Sequence, residues 1–482
     1  MNRTFTRQLY TDFRMRFRKR PKTDLQRKSK SWRAALSSIL STVLLLFSSN
    51  IASANPAITR AEALTFAYII DFSSGITCSS LTYNDCRINV DINGQPAGPM
   101  QATSLLIDRV NSGLQSRSLS NWQTGWGPTM QWKKGTMSNS DLYTPAGTMV
   151  VFKNGNTYVV AIAGTNSISE YGWYVEDFDV SQLVNWPNGS PTGKISAGTA
   201  EGLNLLLTMG GGQSAGTSTT LVDYLRAEAT AAAGRNENID VVVVGHSLGG
   251  TLSPVVATTL IDTQTSGMSL NWTIRNQDLV NLNLKAWDTA NNATVSTIFF
   301  AGATPGDDNF ASYANSLMQG TDRLISVWGK YDVVPHGWNE LADIQNIYVP
   351  TGTNCNVPSS KEQCPNTSTT PASTDPSKVI CPCLDTYTLI SGAQIIAKNF
   401  FPRATPVGAG SQREEIDVGI GYSAQWATCP SSNAIVQAGT VKDLMMIEAI
   451  YQHDCSYPQV YPGTSGLADD LHDIREFYAQ AN

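Results

Sequence analysis

Apolar residues are dense from Ala61 through Ile69-Ile70, a run that predicts a helix. Two further apolar stretches, Thr148–Lys153 and Tyr158–Ala163, flank Asn154-Gly155-Asn156, whose residue types favour the positive φ angles of a hairpin turn, so a strand pair is expected there. A helix around Leu221–Ala233 leads into Asp240 and four consecutive valines, Val241 to Val244. A run that is apolar on every residue fits a parallel strand covered on both faces. Thr297–Phe300 and Leu324–Trp328 read as two more such strands. Strands alternating with helices predict an α/β fold with a mostly parallel central sheet flanked by helices.

That rhythm breaks between residues 345 and 440, where Ser, Thr and Pro are frequent and five of the eight cysteines fall. The piece Asn366-Thr367-Ser368-Thr369-Thr370-Pro371 reads as a surface loop, and the whole stretch as a Cys-rich insertion into the domain. The main domain is therefore expected in two parts, 55–344 and 441–482.

Charge separates the start of the chain from the rest. Residues 1–33 hold 12 Lys/Arg against Asp12 and Asp24, and the remainder holds 21 Lys/Arg against 37 Asp/Glu. The uncharged stretch Ala34 to Ala54 follows, centred on Val43-Leu44-Leu45-Leu46-Phe47 and ending in Ala52-Ser53-Ala54. Basic, apolar and then small-x-small is the order of a secretory signal peptide, here residues 1–54 with cleavage after Ala54. Serines and threonines dilute the apolar core below a full membrane span, so no stable span is expected in the mature chain. An acidic mature chain also argues against nucleic acid as a partner. All eight cysteines, Cys78, Cys86, Cys355, Cys364, Cys381, Cys383, Cys429 and Cys455, follow the cleavage site. An even count in an exported chain reads as disulfides. The rival zinc reading lacks a two-residue gap at Cys381-Pro382-Cys383 and a histidine cluster.

Candidate chemistry begins at Gly245-His246-Ser247-Leu248-Gly249, a G-x-S-x-G between the valine strand and a helix. A tight strand-to-helix turn presents the serine hydroxyl on a crest, and flanking glycines relieve the crowding. Ser247 is the candidate nucleophile, and the backbone N–H of Leu248, the following residue, is a candidate oxyanion donor. A general base is then needed, and neutral imidazole suits pH 7. Of four histidines, His246 sits within the turn and His336 lies close to the candidate acid. His472, in Asp470-Leu471-His472-Asp473, reads as a solvated helix residue. His453, beside Cys455, is the candidate base. The acid is expected at a strand end between nucleophile and base, where Asp332 follows Leu324–Trp328 after a short turn; Asp307 and Asp308 read as loop caps. The order Ser, Asp, His is that of α/β-hydrolases.

Five segments together resemble the class 3, or fungal-type, triacylglycerol lipases: Ala161-Ile162-Ala163-Gly164-Thr165, Gly245-His246-Ser247-Leu248-Gly249-Gly250, Phe299-Phe300-Ala301-Gly302-Ala303-Thr304-Pro305-Gly306, Tyr331-Asp332-Val333-Val334-Pro335, and Gln452-His453 with Tyr457. The resemblance spans most of 60–344 and 441–460. It implies an α/β-hydrolase fold, ester hydrolysis without a cofactor, and an oxyanion role for Thr165. It also implies a lid after Thr165, where Asn166 to Val175 mix aromatic and polar residues; an ordinary packing helix carrying Trp173 is the alternative. Three departures stand out: Ala163 where the family has arginine, Pro254 inside the helix after the turn, and a long gap between Asp332 and His453.

The expected function is a secreted serine carboxylic-ester hydrolase acting on triacylglycerol or other long-chain acyl esters, with a lipid–water interface as a place of action. Phospholipid or plant-wall aromatic (feruloyl-type) esters are the alternative substrates. A surface-binding protein that uses the insertion is the non-enzyme alternative.

Overall fold

The computed structural model describes residues 57–75, 89–90, 96–97, 100–134, 143–166, 169, 171–177, 179–180, 182–210, 219–274, 278–319, 322–340, 405–408, 412–418, 449, 451–464 and 467. The expected signal peptide, His472 and every cysteine except Cys455 lie outside these residues, as does most of the expected insertion.

The central sheet has seven strands: β1 (Gln123–Lys134), β2 (Tyr143–Asn154), β3 (Thr157–Ile162), β4 (Ile239–His246), β5 (Ala293–Phe300), β6 (Leu324–Gly329) and β7 (Arg413–Ile416). They lie in the order β7-β6-β5-β4-β3-β2-β1. From β3 to β7 every pairing is parallel, and β1, β2 and β3 pair antiparallel. The expected hairpin turn is present between β2 and β3, with Gly155 at φ 57°.

The valine strand shows why the sheet sits where it does. Successive strand residues point to opposite faces, so Val241 and Val243 enter one core while Val242 and Val244 enter the other. On the first face, β4 is covered by α3 (Ala197–Thr208), α4 (Leu221–Gly234), α5 (Leu248–Asp262) and α6 (Asp308–Leu317). On the second lie α1 (Arg60–Ser74) and α2 (Met100–Ser116), which bury Phe66, Tyr68, Ile70 and Val110. A strand apolar on all residues is thus used twice, once per layer.

Helix starts follow their caps. Thr59 caps α1 in a capping box with Glu62, and Thr220 caps α4 by accepting from Asp223 N–H. Pro254 lies inside α5, which nevertheless runs unbroken from Leu248 to Asp262. The segment expected as an insertion contributes to the main sheet: Arg413–Ile416 extends it as the edge strand β7, parallel to β6. A four-residue charged strand, Arg413-Glu414-Glu415-Ile416, has no alternation by which to find it in sequence. Among the described residues no helix is long and apolar enough to cross a membrane.

Candidate active site

At the carboxyl end of β4 the backbone turns sharply, with Ser247 at φ 58° and ψ −126°. A non-glycine residue in that region is strained, and the surroundings must hold it there. They do so by close backbone packing. A Cβ on Gly249 would lie 2.2 Å from the Ile162 carbonyl oxygen, and one on Gly250 would lie 2.2 Å from that of Phe300. The start of α5 therefore seats directly on the ends of β3 and β5. Ser247 N–H donates to the Phe300 carbonyl at 3.1 Å, which ties the turn to the next strand.

Asp332 follows β6, fully buried. Its Oδ1 and Oδ2 lie 3.0 and 2.9 Å from His453 Nδ1. Val334 N–H donates to Oδ1 at 3.0 Å and the Tyr457 hydroxyl donates to Oδ2 at 2.8 Å. Tyr457 in turn accepts from Gly329 N–H at 2.7 Å. With this many donors the carboxylate is fully satisfied without water. Burial pulls the His453 imidazole down, but attraction and hydrogen bonding to Asp332, with Asp454 and Asp71 adding, outweigh it and push its pKa up to about 9.

His453 sits in a π-helical turn, Tyr451–Cys455, immediately before the short helix α7 (Tyr457–Val460). The structure thus brings Asp332 and His453 together across 121 residues of chain. The His453 ring packs 4.6 Å from that of His246, centroid to centroid, which sets it beside the Ser247 turn. Cys455, two residues on, is buried and disulfide-bonded.

The oxyanion candidates flank the same turn. Leu248 opens α5, so its N–H belongs to the first turn, where backbone donors lack partners within the helix. Thr165 lies just beyond β3, and a Cβ on its neighbour Gly164 would meet the Ser247 Cβ at 3.1 Å. Thr165 Oγ1 donates to Asp177 Oδ2 at 2.8 Å. Burial raises the Asp177 carboxyl to about 7, against the Thr165 hydrogen bond and the nearby His453, which lower it.

The remaining candidates are accounted for by structure. His336 is held between Glu340 and the Lys330 carbonyl, and Asp307 caps α6 by accepting from Phe310 N–H at 2.9 Å. In the lid position the described residues form one π-helical turn, Gly172–Asp177, anchored by Asp177 and by the Tyr171 hydroxyl on Glu201. Among the described residues, His246, His453 and Asp454 have metal-ligand spacing, their ligand atoms lying within 4.8 Å of one another. Both His246 nitrogens and His453 Nδ1 already face oxygen partners, so the group does not converge on an ion. Sequence reasoning missed Asp71, Asp177 and Tyr68, which approach the site from distant positions without any motif around them.

The family model for lipase (class 3) matches residues 159–341, the segment holding Thr165, Ser247 and Asp332. Over that segment the chain is therefore similar to the class 3 lipases. In fold it is similar to the crystal structure of M37 lipase, at 21% identity over 88% of this chain and 98% of that one, with a TM-score of 0.56. Lipase II from Rhizopus niveus and the triacylglyceride lipase of Rhizomucor miehei each align at 15% identity over 58% of this chain and 76% of theirs, with a TM-score of 0.30. None of the curated proteins matches the chain.

Proposed function

We propose that the protein is an exported lipase that cleaves triacylglycerol or other long-chain acyl esters through Ser247, His453 and Asp332. The observation that carries this reading is the buried Asp332 carboxylate, 2.9 Å from His453 Nδ1, beside a strained turn that presents Ser247. Nδ1–H directed at the carboxylate leaves Nε2 as the basic nitrogen.

In the first half-reaction His453 Nε2 takes the Ser247 proton as Oγ attacks the ester carbonyl. The amides of Thr165 and Leu248 stabilise the oxyanion, and the returned proton leaves with the alcohol. Water, deprotonated by the same imidazole, then attacks the acyl-enzyme, and Ser247 is regenerated as the acid departs. Losing one oxyanion donor typically costs about 3–4 kcal/mol of transition-state stabilisation. Export is supported by the signal-like start of the chain and by the disulfide at Cys455.

Hydrolysis measured over short and long acyl chains, with and without a lipid interface, tests the reading. Turnover should favour long chains, and an organophosphonate should label Ser247. No hydrolysis of any ester together with no labelling would overturn the enzyme reading; preference for phospholipid or feruloyl esters would overturn the substrate.

A further inference from the structure

The structure assigns to Asp71 the role of a positioning residue that holds the oxyanion loop and the nucleophile turn in register, an inference that rests on the hydrolase reading of Ser247. Asp71 stands on α1, whose side chains reach the site one turn apart. Tyr68 donates its hydroxyl to the Asp454 carbonyl at 2.6 Å, gripping the His453 loop. Asp71 Oδ1 accepts from Gly164 N–H at 2.5 Å, while Oδ2 lies 3.2 Å from His246 Nδ1. The other edge of that ring, Nε2, meets the His453 carbonyl oxygen at 2.8 Å. One carboxylate therefore joins the residue before Thr165 to the residue before Ser247, and through His246 to the backbone of His453.

Thr165 is clamped on both sides by the same helix end. Gly164 is held by Asp71, and the Asn166 side chain donates to the Ser74 carbonyl at 2.7 Å. The fit is tight as well as bonded, since a Cβ on Gly164 would lie 3.2 Å from the His246 carbonyl oxygen. Asp71 is only 14% exposed and His246 only 4%, so water is a poor substitute for either partner. A bond from an amide to a carboxylate is stronger than one between neutral groups. Without it the Thr165 amide loses its reference to the Ser247 Oγ. A misplacement of about 1 Å at such a distance from the chemistry costs on the order of 100-fold in rate.

The test uses the full mature protein, a soluble ester and separate kcat and KM. Asp71→Ala should lower kcat about 100-fold with KM changed less than about threefold. Asp71→Asn should recover kcat to within about tenfold of wild type, because its amide keeps an oxygen for Gly164 N–H and a donor for His246. In wild-type protein the Gly164 amide proton should resonate far downfield and exchange slowly. Asp71→Ala with unchanged kcat, Asp71→Asn as impaired as Asp71→Ala, or an ordinary fast-exchanging Gly164 amide would each overturn the assignment. If Asp71→Ala does not fold, Asp71→Asn and the wild-type amide signal decide. If wild-type protein hydrolyses no ester, the hydrolase reading fails while the Gly164 signal still reports on the tie.

Discussion

Asp332 and Glu176 are both buried carboxylates of one domain, yet their surroundings treat charge in opposite ways. Asp332 receives Val334 N–H, the Tyr457 hydroxyl and His453 Nδ1, so both of its oxygens have hydrogen-bond partners. Glu176 is also buried, with Oε2 lacking any hydrogen-bond partner. Burial, and then the neighbouring Asp177 and Glu201, raise its carboxyl well above the ordinary range, with Lys133 opposing. Burying a carboxyl is costly unless donors replace its water. Donors meet both Asp332 oxygens and none meets Glu176 Oε2, so only the first is placed to orient an imidazole.

The sharpest way to break this contrast is to remove the charge at Asp332. Asp332→Asn should lower kcat by about 10⁴-fold while leaving the fold intact by circular dichroism, because the imidazole loses its orienting partner. Next in size is Gly249→Ala, which drives a methyl into the Ile162 carbonyl and should abolish phosphonate labelling of Ser247 along with about 3 kcal/mol of stability in denaturant titration. Tyr457→Phe deletes one donor to Asp332 and the acceptor for Gly329 N–H; urea unfolding should show a loss of about 1–3 kcal/mol.

A pH series separates the His453 pairing from the Glu176 burial further. His453 is raised from 6.5 to about 9, so its pairing stabilises the fold fully below pH 6.5, and that contribution is lost as pH rises through about 9. Under the proposed mechanism activity runs the other way, with the neutral imidazole as the base: kcat/KM should climb as pH approaches about 9. Glu176, raised above its unfolded value of 4.5, makes the fold lose stability as pH rises above 4.5. Glu176→Gln should flatten that part of the melting-temperature profile and change kcat least of all these variants. A Glu176→Gln profile identical to wild type would remove the contrast.

Much of this was legible in the chain. Val241 to Val244 announced a doubly covered strand because burial on both faces demands apolar residues at every position, and each valine lies in one of the two cores. The Gly-rich turn was legible because close backbone approach forbids a Cβ, and no other residue type meets that demand. β7 was not, since an edge strand of mixed charge obeys no period and is recruited by its neighbour β6. The twelve-residue β1 was also missed, its pairing with β2 broken by register shifts that blur alternation.

For the candidate site, sequence by itself pointed to the chemical types and their order: a serine in a tight turn, an acid after a strand, a histidine near the end. Motif spacing carries that information because each group must sit at a particular point of a local element. Tertiary structure alone decided which groups hold those three in place. Asp71 and Tyr68 reach the site from a helix more than 90 residues before Thr165, and Tyr457 reaches Asp332 from 125 residues away. A lone aspartate on an amphipathic helix has no local signature, because its meaning is set by a Gly164 amide and a His246 ring that only folding brings within hydrogen-bond distance.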